Sequence, residues 1–329
     1  LQLTGNVDVA ATRAVSITNA NGTIDTQGFT STVNQGISGA GALTKAGSGS
    51  LVLAGDNTYQ GGTTIATGTL QLGNGGTSGS IVGDVANNGT LAFNRSDTYT
   101  YGGQVSGTGA VNQSGTGTTV LTADHTYSGG TTISAGTLQL GNGGTSGSVL
   151  GNVVDNGTLT FNRSDVFTFG GTVSGTGGIT QAGTGTTVLT ANNAIRGDTL
   201  VASGALAIGD ATHASAALGV SAANAPQSLR PMAGGSGNTV QIAANATLGG
   251  YGTVNGAVTN NGTVAVADAL AAFANAGGGS LTINGSLNNA GTVQVGGAGV
   301  GNKLVVNGNY VGNGGVLAIN TKLGTDNSP

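Results

Sequence analysis

Few residues of this 329-residue chain have the type and spacing to do chemistry. Arg196-Gly197-Asp198 sets a cation and a carboxylate on either side of a glycine. This is the tripeptide that integrins read, and reading it requires both charges on one exposed turn. His125 follows Asp124, and a nearby Ser would complete the outline of a hydrolytic triad. Only two His and no Cys are available, and no nucleophile-elbow motif occurs, so composition argues against catalysis. Asn94-Arg95-Ser96 and Asn162-Arg163-Ser164 fit the glycosylation triplet, which a chain rich in Asn, Ser and Thr generates freely. Arg95 with Asp97, and Arg163 with Asp165, read as solvent-screened pairs of small energetic value. Tyr99 and Tyr101, two residues apart, share one strand face, as do Phe167 and Phe169. Core filling is the expected use of both pairs. The acids are all Asp, and the Gly-rich stretches at Gly75-Gly76 and Gly143-Gly144 lack the carboxylates of a calcium roll. No metal and no cofactor are expected.

What positions these residues is a repeat. Thr58-Tyr59-Gln60-Gly61-Gly62-Thr63 returns 68 residues later as Thr126-Tyr127-Ser128-Gly129-Gly130-Thr131, and Phe93-Asn94-Arg95-Ser96-Asp97 returns unchanged as Phe161 to Asp165. Val105-Ser106-Gly107 and Val173-Ser174-Gly175 continue Ile37-Ser38-Gly39 at the same interval. A constant period means that each unit meets its neighbours alike, which is the signature of a stacked solenoid. In this frame Arg196-Gly197-Asp198 aligns with Ser128-Gly129-Gly130, a surface corner. Replacing Asp198 by Gly is therefore expected to leave the fold intact. His125 aligns with Asn57 and Asn193 and reads as a variable turn residue.

Composition agrees. Gly contributes 66 residues, Pro 3, and charged residues only 6%. Collagen is excluded because Gly has no three-residue period, and the abundance of Thr, Val and Ile argues against disorder. Short alternating runs such as Leu51-Val52-Leu53 and Thr69-Leu70-Gln71-Leu72, bounded by Gly, Asn or Asp, read as strands between tight turns. The expected fold is all-β, a right-handed parallel β-helix of about fifteen coils. With roughly 22 residues per coil, 68 residues make three coils, and stacking at about 4.8 Å per strand gives a rod of roughly 70 Å. Eight scattered basic residues and a net charge of −4 exclude a nucleic-acid stripe and offer little to an anionic membrane. No apolar run is long enough for a membrane helix.

Three regions follow: residues 1–209 carry the 68-residue repeats, 210–238 form an irregular Ala/Ser-rich loop with Pro226, Arg230, Pro231 and Met232, and 239–329 resume the coils. The last region is interrupted by the Ala-rich stretch 269–276. The chain begins as if inside a longer solenoid and ends abruptly, and is read as a fragment.

Leu43-Thr44-Lys45-Ala46-Gly47-Ser48-Gly49-Ser50-Leu51-Val52-Leu53, followed by Asn57-Thr58-Tyr59-Gln60-Gly61-Gly62-Thr63 and Gly68-Thr69-Leu70, resembles the passenger-associated transport repeat of bacterial autotransporters. The match drifts over 105–141 and fades across 173–209. Residues 315–329 resemble the autochaperone segment that precedes the translocator barrel in that family. The resemblance implies a β-helix exported through a Gram-negative outer membrane, anchored at the cell surface or secreted after cleavage, with its own C-terminal translocator barrel as one partner. The expected role is a display rod and adhesin meeting a host-cell receptor, matrix or other bacterial cells, with modest contacts along one face adding through avidity. The alternative is a stalk presenting an N-terminal protease or lipase domain.

Overall fold

The computed structural model describes residues 1–10, 12–18, 21–221, 238–298 and 301–319. Pro226, Arg230, Pro231, Met232 and residues 320–329 lie outside the described residues. The chain divides into two compact units, Leu1–Thr160 and Phe161–Pro329. Both are parallel β-solenoids, with about fourteen turns and almost no helix among the described residues.

Among the described residues of the first unit, Val15–Ser16 and Ile37–Ser38 form a small two-stranded parallel sheet, and the other strands stack in three larger parallel sheets. One holds Gly22–Asp25, Leu43–Ala46, Thr63–Ile65, Val85–Asn87 and Val105–Ser106. The second contains Thr30–Val33, Ser50–Leu53, Thr69–Leu72, Thr90–Phe93, Ala110–Gln113, Thr131–Ile133 and Val153–Asp155, and the third contains Thr98–Tyr101, Thr118–Leu121 and Thr137–Leu140. Alternation dictates which side chains fill the interior: Leu51, Leu53, Leu70, Leu72, Leu91 and Phe93 are fully buried, while Thr30, Thr90 and Thr98 begin their strands at the rim. The second unit has three sheets of the same kind. The sheet holding Thr186–Leu189, Ala205–Ile208, Thr247–Gly250 and Thr263–Val266 differs in being covered on its outside as well. There Leu270, the extended residue between the short 3₁₀ turns Ala267–Ala269 and Ala271–Phe273, packs against Val188, Ala205, Ala207 and Ala265. Small residues at these outward positions let the Ala-rich stretch lie flat on the wall.

The coil is shorter than the expected 22 residues. Leu43 pairs with Thr63, Thr63 with Val85, and Val85 with Val105. Three coils thus end at Val105, whereas the residue 68 positions after Leu43 is Val111, which pairs with Leu91 in the next sheet. The sequence period is therefore not a whole number of coils. Each repeat occupies about three and one-third coils, so successive copies are turned by one face rather than stacked in register. Ser50 and Thr118, also 68 apart, fall in different sheets for the same reason. The 210–238 segment is solenoidal at its start: Ala217–Leu218 pairs with Asn192–Asn193 and with Thr253–Val254. A two-residue strand is too short to show alternation in the sequence.

Candidate functional surface

Polar residues that read as turn chemistry turn out to be internal fasteners. Asn57 is 1% exposed. Its Oδ1 accepts the Ile37 amide at 2.9 Å, and its Nδ2 donates to the Gly55 and Ser80 carbonyls at 2.8 and 2.7 Å. Asn193 does the same, accepting from the Val173 amide at 2.9 Å and donating to Ala191 and Ala217 carbonyls at 2.9 and 3.2 Å. His125, also 1% exposed, replaces this amide in the intervening copy. Its Nδ1 accepts the Val105 amide at 3.0 Å, which fixes the neutral tautomer with the proton on Nε2. Nε2 is buried without a partner. Burial depresses the imidazole pKa to about 4, against the smaller opposing field of Asp124. His125 is thus no variable surface turn, and with one nitrogen occupied and the other sealed it cannot serve as a general base.

Two more positions follow this rule. Lys45, fully buried, donates to the carbonyls of Ala46, Gly47 and Thr67 at 3.0, 2.7 and 3.0 Å. Desolvation lowers its pKa, and Asp25 opposes that shift. Gln113 stands 68 residues on, donating to Gly115 and Gly117 carbonyls at 2.8 and 3.3 Å and accepting from Thr119 at 2.6 Å. At the third position, Asn87 donates to the Ala110 carbonyl at 2.8 Å and accepts the Gly89 amide at 3.1 Å. Its counterpart Asp155 accepts the Gly157 amide at 3.0 Å but leaves Oδ2 buried without a partner. Burial raises the Asp155 pKa to about 6. The available signal for these sites was a polar residue held at the same repeat position among apolar neighbours.

In the Arg–Asp pairs the guanidinium is shielded from solvent while the carboxylate is partly exposed. Arg95 and Arg163 are 7% and 6% exposed. Arg95 binds Asp97 through two parallel bonds of 2.9 and 2.8 Å, donates to the Thr77 carbonyl, and lies 4.9 Å over the Tyr99 ring. Arg163 forms the same bidentate pair with Asp165 at 2.9 and 2.7 Å and lies 4.6 Å over Phe167. The guanidinium holds each carboxyl below its usual range. In the first copy this clasp ties down the loop Gly73–Ser80, whose residues 74–78 are exposed. Of each aromatic pair one ring fills the core as expected, Tyr101, which donates to the Gly83 carbonyl at 2.7 Å, and Phe169, whereas Tyr99 and Phe167 are half-buried against the arginines.

Arg196 and Asp198 are both exposed, on a corner whose backbone is bonded coil to coil: the Arg196 and Gly197 amides donate to Gly175 and Gly177 carbonyls at 3.0 and 2.9 Å. Asp198 Oδ1 accepts from the Thr239 hydroxyl at 2.7 Å and the Thr239 amide at 3.2 Å, capping the strand Thr239–Ile242. Gly62 and Gly130, its counterparts, have φ of +77° and +83°, and Asp198 does not share that left-handed conformation. Glycine is thus not a like-for-like replacement at this corner, because it would remove two hydrogen bonds. Among the described residues no group of three or more His, Cys, Asp or Glu is placed to hold a metal ion.

This architecture defines a class: a β-solenoid of internal repeats closed by buried amides, with an exterior of Thr, Ser, Asn and Gly. Residues 43–72, 111–140 and 179–208 match the passenger-associated-transport-repeat model. The chain is 34% identical over 182 residues to the Adhesin BmaC autotransporter of Brucella suis biovar 1 (strain 1330), across 49% of this chain and 5% of that protein. These matches support an autotransporter passenger reading of the chain, with three passenger-associated transport repeats. That places it at the bacterial cell surface, anchored to the outer membrane or secreted.

Proposed function

We propose that this chain serves adhesion, as a structural display element without catalytic activity of its own. The observation that carries this reading is the similarity to an autotransporter adhesin over half of the chain. The buried His125 supports it from the chemical side, since the one Asp-His pair on the repeats lacks an accessible base. The proposed partners are a host-cell receptor, matrix or other bacterial cells, together with the translocator barrel of its own protein.

The turn of one face per repeat changes how adhesion would work. Equivalent residues of the first two copies lie on different faces of the first unit, so contacts they share would be distributed around that unit rather than along one face. Arg196-Gly197-Asp198 is proposed as a discrete contact because both charges are exposed at a corner held by backbone hydrogen bonds. The test compares attachment of the purified chain and its Asp198→Asn variant to cultured cells, with and without a competing tripeptide. Asn keeps an acceptor for Thr239 and removes the carboxylate. Loss of attachment supports the discrete contact, and equal attachment assigns adhesion to other surface residues. A parent chain that attaches no better than an unrelated solenoid refutes the adhesive reading.

A further inference from the structure

The chain contains ten Asn-Gly steps, the dipeptide in which a main-chain nitrogen can attack the preceding side-chain amide, because glycine places no Cβ in the way. The structure sorts them. At Asn88-Gly89, Asn156-Gly157 and Asn261-Gly262 the attacking glycine amide is already donated to the buried side chain one residue upstream, Asn87, Asp155 or Asn260, at 3.1, 3.0 and 3.1 Å. At Asn21-Gly22 and Asn74-Gly75 it is donated to the carbonyls of Ala42 and Asn94, both at 2.8 Å. The loop Gly141–Ser148 repeats Gly73–Ser80 residue for residue, but its exposed Asn142-Gly143 step, with Gly143 at φ +82° and open space around it, is not among the protected steps.

The next three steps are held by the asparagine itself. Asn307 Nδ2 donates to Asn284 Oδ1 at 2.7 Å and Asn284 Nδ2 to Asn255 Oδ1 at 2.8 Å, a ladder that pins the side chains. The glycines that follow, Gly256, Gly285 and Gly308, sit directly against backbone of the preceding coil. Asn313-Gly314 has none of these restraints. Asn313 is exposed, its side chain and the Gly314 amide make no hydrogen bond among the described residues, and Gly314 has φ +85° with open space around it.

We infer that Asn313 is a site of spontaneous covalent modification in the folded protein. The Gly314 nitrogen bonds to Cγ of Asn313 as the Cγ–Nδ2 bond breaks. The side-chain nitrogen leaves as ammonia, carrying the proton that the glycine amide gives up. Water then opens the five-membered imide at either carbonyl, leaving aspartate or isoaspartate. Either product adds one negative charge. The isoaspartate also lengthens the main chain by a methylene at the corner before Val316–Ala318, the strand that pairs with Thr292–Gln294, and so disturbs that register. The buried side chains Asn87, Asp155 and Asn260 thereby acquire a second role, protecting the steps beside them from the same reaction.

The experiment holds the folded chain in mildly alkaline buffer at body temperature and maps deamidation by peptide mass spectrometry over days. A parallel sample is kept in concentrated urea. The expected result is conversion at Asn313 about tenfold or more faster than at Asn88, Asn156 and Asn261 in the folded sample, with the difference lost in urea. The Asn313→Gln variant should retain its mass in that peptide. Comparable rates at all steps in the folded sample, or no conversion at Asn313, would overturn the inference.

Discussion

His125 and Asp155 offer the sharpest test of the buried-fastener account, because each places an ionisable group where another copy of the repeat has asparagine. The His125 pKa is depressed from 6.5 to about 4 in the folded state. Its contribution to stability is therefore fully present above pH 6.5 and is lost as pH falls toward 4, by about 3 kcal/mol. Asp155 behaves oppositely. Its pKa is raised from 3.8 to about 6, so its contribution is fully present below pH 3.8 and is lost as pH rises through 6, again by about 3 kcal/mol. The two nearly cancel, and the parent should have a flat stability profile between pH 4 and 6.5 as far as these groups decide it. At neutral pH, His125→Asn regains amide donors worth about 1–2 kcal/mol. It loses ring contacts with Tyr101 and Tyr127, at centroid distances of 6.5 and 6.2 Å, worth about 1 kcal/mol. The neutral-pH difference is thus small, and the slope is the informative quantity. His125→Asn should leave Asp155 unopposed and lose stability as pH rises, whereas Asp155→Asn should lose it as pH falls. Urea unfolding followed by circular dichroism across this range gives the slopes, and hydrogen exchange at the Val105 amide reports locally in case the solenoid does not unfold in one step. Identical slopes in the parent and both variants would refute the reasoning.

Arg95→Lys should lower the stability of the first unit by about 2 kcal/mol, since a lysine replaces neither the bidentate pair with Asp97 nor the stacking on Tyr99; urea midpoints measure it, and proteolysis within Gly73–Ser80 should quicken. Lys45→Gln should be tolerated within about 1 kcal/mol, because Gln113 and Gln181 occupy the same repeat position, whereas Lys45→Met should cost about 1–2 kcal/mol by removing the lysine donor from the part-buried Gly47 and Thr67 carbonyls. Thermal unfolding of the two variants side by side checks this pair.

Much of the solenoid was legible because its driving force is written at short range. Alternation in Ser50-Leu51-Val52-Leu53 or Thr69-Leu70-Gln71-Leu72 marks which residues face inward, and Gly and Asn mark where the chain must turn. The coil length was not legible from the 68-residue period, because a period constrains how copies relate along the chain and not how many strands close one turn. Loops such as Gly73–Ser80 lengthen some coils and hide the underlying length of about 20 residues. The polar interior was misread for a related reason. His125 reads as a variable turn residue, and only the neighbouring coil supplies the groups that make it, Asn57 and Lys45 internal.

The one-third offset between repeat and coil also separates two ideas that a repeat in sequence tends to merge. If a period equals a whole number of coils, every duplicated feature lies on one face, and a row of weak contacts can meet a flat partner. Here Leu43 and Val111 lie in adjoining sheets, and so do Ser50 and Thr118. Duplication therefore spreads a feature around the solenoid. What stays constant from copy to copy is the interior, where Asn57, His125 and Asn193 each accept an amide from the neighbouring coil. The repeat is thus constant within this chain as a packing unit, and the proposed adhesive contacts would have to use residues that differ between copies, such as Arg196 and Asp198.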